Sequence, residues 1–147
     1  MTDGPQSRVR LRVISRMRDA DGTPLETKNA HRGTLVRTDG AIELAYDEER
    51  DGEKARITLT LQAGPAPRDN RASMRRRGMT RGELRFVPGR CEPGSYVTPY
   101  GEIPVAVDTR RVDIEQTETG GVLTLDYDVY MGGERSASAL LEVTWRC

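Results

Sequence analysis

The chain has 147 residues, 23 basic and 23 acidic side chains for a formal net charge of zero, one histidine and two cysteines. That length suits one domain that buries about 68–70% of the surface its unfolded chain exposes, so a core can form without disulfides or metals. Zero net charge with 5% aromatic residues argues against nucleic-acid binding, and no apolar run reaches the ~18 residues of a membrane-spanning helix. Apolar residues stand at 35%, below the usual ~45–50%, and charged residues at 31%, above the usual ~25%, which predicts a thin core inside a charged shell. Cys91 and Cys147 share no metal-type or redox-type spacing, and with one His they are too few soft ligands for zinc. Reduced thiols, no cofactor and a cytoplasmic protein are the expectation.

Residues 1–7 are polar and read as a flexible N-terminus to a single domain over 1–147. Beyond them period-two alternation recurs, broken by turn chemistry. Val9, Leu11 and Val13 alternate with Arg8, Arg10 and Arg12, the pattern of a half-buried strand. Asp19-Ala20-Asp21-Gly22 reads as a loop. A second strand runs from about Leu25 to Arg37 and ends on Asp39-Gly40, the strongest hairpin signal in the chain. Ile42, Leu44 and Tyr46 share one face of a third strand. Asp51-Gly52 marks the next hairpin turn, before Ile57, Leu59 and Leu61 alternate with Thr58 and Thr60.

From Ala63 to Asn70 two prolines predict a loop, and Arg71–Arg77 and Glu83–Val87 read as short strands joined through Gly78 and Gly82. Ser95–Thr98 is a further strand, with a turn at Pro99-Tyr100-Gly101. Ile103, Val105 and Val107 point one way while Val112 and Ile114 have the opposite parity, so a bulge or bend is expected between Asp108 and Arg111. Gly120-Gly121 reads as a turn into Leu123, Leu125, Tyr127 and Val129. Gly132-Gly133 leads to a last strand with Ala137, Ala139, Leu141, Val143 and Trp145 on one face. About ten strands with short sequential connections and one apolar face predict an all-β fold. Its simplest form is a single antiparallel up-and-down barrel, because closure removes exposed sheet edges.

The segment Tyr96-Val97-Thr98-Pro99-Tyr100-Gly101-Glu102-Ile103, followed by Thr109, resembles the YwiB-like (DUF1934) proteins, a bacterial family of uncharacterised function. Leu44-Ala45-Tyr46 with Glu48-Glu49, Arg77-Gly78 followed by Phe86 and Gly89, and Leu123-Thr124-Leu125-Asp126-Tyr127-Asp128 resemble further motifs of that family in the same order. The resemblance spans about Val9 to Trp145. It implies a calycin-like, lipocalin-type barrel and brings no activity, cofactor or catalytic residue with it.

No catalytic constellation is evident. His31 lacks an identifiable nucleophile or orienting partner, so a structural or surface role is expected. Asp126 and Asp128 share a strand face opposite the apolar set and are expected outside, paired with arginines of an adjoining strand. Cys91 beside Arg90, and Cys147, lack an activating base. Charge is uneven along the chain: residues 68–90 hold eight arginines against Asp69 and Glu83, and residues 102–147 hold nine acids against four arginines. The two segments are expected to neutralise each other across strands. Arg76 must face opposite to Arg75 and Arg77. If Arg75 or Arg77 points inward, a guanidinium at the barrel mouth could grip an anion; the alternative is a solvated outer face. The aromatic residues either fill the interior or line a cavity.

Two functions follow from these readings. One is a non-enzymatic barrel that takes a small, partly apolar, anionic molecule into one mouth, with Arg75, Arg77, Phe86, Tyr96 and Tyr100 as candidate ligand-binding residues. The other is a packed structural or protein-interaction barrel without ligand, able to form a homodimer. A cavity of a few hundred Å³ would favour the first.

Overall fold

A computed structural model describes residues 6–50 and 52–147. The expectations placed on residues 1–5 and on Asp51 of the third hairpin lie outside the described residues. Ten strands follow in order: β1 (Gln6–Asp19), β2 (Pro24–Thr38), β3 (Ala41–Arg50), β4 (Glu53–Gln62), β5 (Arg71–Arg77), β6 (Arg81–Phe86), β7 (Cys91–Thr98), β8 (Gly101–Gln116), β9 (Gly120–Met131) and β10 (Glu134–Arg146). Among the described residues the only helical element is one 3-10 turn, Pro67–Asp69. Each strand pairs antiparallel with the next and β1 pairs with β10, so the sheet closes as an up-and-down barrel.

Alternation sets the two faces. Leu11, Leu44, Leu59, Val107, Leu125 and Val143 are buried in the interior, while their neighbours Arg10, Glu43, Thr58, Ala106, Thr124 and Glu142 stay at least partly exposed. The change of parity in β8 is a bulge: its register with β9 shifts between Thr109 and Arg111, at the place the sequence indicates. Asp39-Gly40 forms the two-residue β2–β3 hairpin, with Gly40 at φ 71°, a conformation that an L side chain disfavours.

Three local expectations are corrected. Gly120-Gly121 is not a turn but the opening of β9. A Cβ on Gly121 would overlap the indole ring of Trp145, so the glycine serves close approach rather than chain reversal. β7 begins at Cys91, earlier than the apolar pattern suggests, and includes Pro93 and Gly94. There β7 bonds only to β8, because its ladder to β6 is confined to Ser95–Val97, and a proline is tolerated beside an unpaired edge. The arginines of 68–90 do not meet the acids of 102–147 among the described residues. Arg75 and Arg85 share Glu83, and the acids of β8 and β9 pair with Arg110 and Arg111 of their own segment. Adjacent residues on a strand pair or hairpin reach each other before more distant segments do.

The two ends of the barrel differ. Trp145, buried opposite Leu11 and Gly121, fills the end at which β1 starts. The segment 63–70 lies across it, tied down by Asn70: its amide donates to the Val112 carbonyl of β8 at 2.8 Å and its side-chain oxygen accepts from the Gly64 N–H at 3.0 Å. The opposite end, where β1 turns into β2 and β9 into β10, has no such cover. The wall is also thinner there, because β2 pairs with β3 only over Gly33–Thr38, leaving residues 24–30 exposed on a ribbon that leans on β1 alone.

Candidate functional site at the open end of the barrel

At the uncovered end the inward-facing positions leave a cavity of about 340 Å³. Its wall is mainly apolar: Met17 of β1, Met74 of β5, Leu84 of β6, Val105 of β8, and Val129 and Met131 of β9, with Tyr96, Tyr127 and Arg76. Methionines suit such a wall, because an unbranched thioether adapts to the shape of whatever lies against it.

The floor is aromatic. Phe86 and Tyr127 meet edge to face with ring centroids 4.9 Å apart. Burial pushes the Tyr127 hydroxyl up to about 12, so it stays protonated as a donor. It has no hydrogen-bond partner among the described residues, although the residue as a whole is 8% exposed. Among the described residues the fully buried side-chain polar atoms without a partner are Thr109 Oγ1 and Trp145 Nε1, so the Tyr127 hydroxyl is reachable from the cavity it lines.

Arg76 supplies the cation. Its guanidinium donates to Glu48 at 2.7 Å and through Nε to Thr80 at 3.0 Å. The Arg76 and Glu48 side chains are only 22% and 21% exposed, so the pair is partly desolvated. Below Glu48, Tyr46 is pushed up to about 12 by burial and further by the Glu48 charge, with Arg76 opposing. His31 stacks on Tyr46 with ring centroids 4.5 Å apart, closing the interior where β2 and β3 part.

The structure separates most of the expected ligand residues. Arg75 and Arg77 do not face the mouth. Thr58 pairs with Arg75 and buried Leu59 with Met74, so Arg75 and Arg77 lie on the outer wall with Glu43, Thr58 and Thr60, and Arg75 contacts Glu83 at 3.4 Å. Arg76 is the inward arginine. Ala72 and Met74 carry the signal that would have found it, since they fix the inward parity of β5 and Arg76 is its third member. Phe86 is fully buried beneath the cavity and forms core, not lining. Tyr100 is 100% exposed at the tip of the β7–β8 turn. Tyr96 alone of the five lines the cavity. Met17, Met74, Leu84, Val129 and Met131 were not singled out, because each is an unremarkable core residue until barrel closure places it at an open end.

Asp126 and Asp128 lie on the outer wall as expected. Arg110, at the β8 bulge, reaches Asp126 at 2.7 Å and Asp128 at 2.9 Å, and the Ser138 hydroxyl donates to Asp128 at 2.7 Å. Burial pushes the Asp128 carboxyl up, but the hydrogen bonds from Ser138 and Arg110 outweigh it and hold the group below its ordinary value. One oxygen of each carboxylate is engaged, linking Arg110, Asp126 and Asp128 in an ion triad on the outer wall. Cys91 and Cys147 are exposed free thiols. Among the described residues no group of three or more His, Cys, Asp or Glu is placed to hold a metal ion, and no helix is long and apolar enough to cross a membrane.

Residues 11–143 match the model of a family described as "Domain of unknown function (DUF1934)". YwiB of Bacillus subtilis (strain 168), described as an uncharacterized beta-barrel protein, is 23% identical over 104 residues, covering 71% of this chain and 69% of YwiB. The crystal structure of the ywiB protein from Bacillus subtilis aligns with a TM-score of 0.83 at 21% identity, over 96% of this chain and 92% of that one. The likeness establishes a shared barrel fold.

Proposed function

The chain belongs to the DUF1934 family, and from that premise we propose that it is a non-enzymatic, calycin-like barrel that binds one small, largely apolar molecule in the cavity at its open end. The single observation behind this reading is the void itself. One end of the barrel is plugged by Trp145 and Asn70, while the other keeps about 340 Å³ between apolar walls, within the ~300–1,000 Å³ range of ligand pockets. A purely structural barrel would gain stability by filling that space, since voids forfeit contacts. The ligand's polar group meets the Tyr127 hydroxyl and Arg76. An acidic head group must compete with Glu48 for that guanidinium, so the apolar body supplies most of the affinity. Two exposed free thiols suit a reducing, cytoplasmic setting.

The test is a fluorescence titration with 1-anilinonaphthalene-8-sulfonate, whose emission rises in apolar sites. The parent protein should show saturable binding of one probe. Met74→Trp fills the cavity and should abolish the signal while leaving the circular dichroism spectrum unchanged. Equal binding by the parent and Met74→Trp, or none by either, contradicts the proposal.

A further inference from the structure

A second feature lies on the outer wall, toward the plugged end and away from the cavity. Arg10 of β1 pairs directly with Arg146 of β10 on one side and Arg32 of β2 on the other. Cross-strand partners share a face, so three guanidinium groups stand side by side, and Arg8, two residues earlier on β1, joins them. These four, with Arg56 and Thr34, line a groove of about 710 Å³. Asp47 holds Arg56 at 3.2 Å. Among the described residues Arg8, Arg10, Arg32 and Arg146 make no ion pair or hydrogen bond.

Several other outward arginines, Arg16, Arg75, Arg85, Arg110 and Arg111, each meet a carboxylate. Arg12, which has no ion pair among the described residues, stands opposite Thr144 and Ala30 and not opposite another arginine. Like charges directly opposite on neighbouring strands repel, and here the repulsion is repeated across two ladders with nothing to offset it. A multivalent anion would offset that repulsion. A carboxylate offers one negative charge and two oxygens, too little for four guanidinium groups. A phosphate ester carries about −1.5 to −2 charges at neutral pH and three acceptor oxygens, and it matches the planar fork of arginine.

We propose that the Arg8–Arg10–Arg32–Arg146 groove binds the phosphoryl group of a soluble phosphate-bearing molecule. The site is independent of the apolar cavity. Nucleic acid is a poorer occupant, because no aromatic residue lines the groove for base stacking.

Isothermal titration of the full chain with sodium pyrophosphate tests this. One saturable site is expected, weakening as salt rises. Arg10→Gln should weaken it by about tenfold or more, as loss of a hydrogen-bonded charge contact does. Arg146→Gln should do the same and serves if Arg10→Gln does not fold. Arg75→Gln removes the same charge from another wall and should leave affinity unchanged. Without pyrophosphate and at low salt, Arg10→Gln should melt at a higher temperature than the parent, because the central repulsion is gone. No saturable binding overturns the proposal, as does an equal loss in Arg10→Gln and Arg75→Gln. Binding to phosphatidylglycerol vesicles but not to pyrophosphate would assign the groove to a membrane surface and overturn it too.

Discussion

Asp128 illustrates how one side chain links the outer wall to pH. Its carboxylate accepts from Ser138 and Arg110 and is held below the ordinary aspartate value of 3.8. The unfolded chain therefore binds a proton at higher pH than the folded one. The resulting stability is fully present above about pH 4 and drains as pH falls through the folded value. Asp128→Asn should lower stability at neutral pH by about 1–3 kcal/mol, the scale of hydrogen bonds to charged groups, and the gap to the parent should close in acid. Urea titrations across pH 2–7 measure it; a gap independent of pH would assign the loss to packing. Tyr46 and Tyr127 act at the alkaline end: burial raises each from 10.0 to about 12, so their contribution holds below pH 10 and is lost between those values. At this scale the sequence was only partly legible. The outward Asp126 and Asp128 follow from strand parity, whereas the direction of Arg75 and Arg77 was left open between mouth and outer face, because charge marks a residue without saying which way it points.

Strands β9 and β5 show when parity can be read. In β9 four apolar residues at alternate positions leave one solution, and Leu125 is buried while Thr124 faces outward. Leu125→Ala should cost about 2–5 kcal/mol as a large-to-small core change, and Thr124→Ala less than about 0.5 kcal/mol as a surface one. Chemical denaturation distinguishes them, and equal costs would contradict the face assignment. In β5 only Ala72 and Met74 mark the inner face, and three consecutive arginines obscure the continuation to Arg76. β7 was shortened for a related reason, since Cys91–Gly94 carries no apolar alternation and its place in the sheet rests on its ladder to β8. The ladders of neighbouring strands, not the strand's own residues, decide such cases.

Closure of ten strands into one barrel was legible from spacing, turn chemistry and the single apolar face; the asymmetry of its ends was not. Which end is plugged depends on Asn70 reaching Val112 across the barrel and on Trp145 sliding over Gly121, contacts between segments far apart in the chain. That asymmetry produces the cavity, and the cavity carries the functional proposal. Methionine methyl groups report on it directly, because Met17, Met74 and Met131 line the void, whereas Met79 sits outside on the β5–β6 turn, 61% exposed. With methyl-13C-methionine protein, two-dimensional NMR during titration with 1-anilinonaphthalene-8-sulfonate should shift the Met17, Met74 and Met131 resonances together and leave Met79 in place. Shifts confined to Met79, or no shift at all under saturating probe, would contradict a binding cavity at the open end of the barrel.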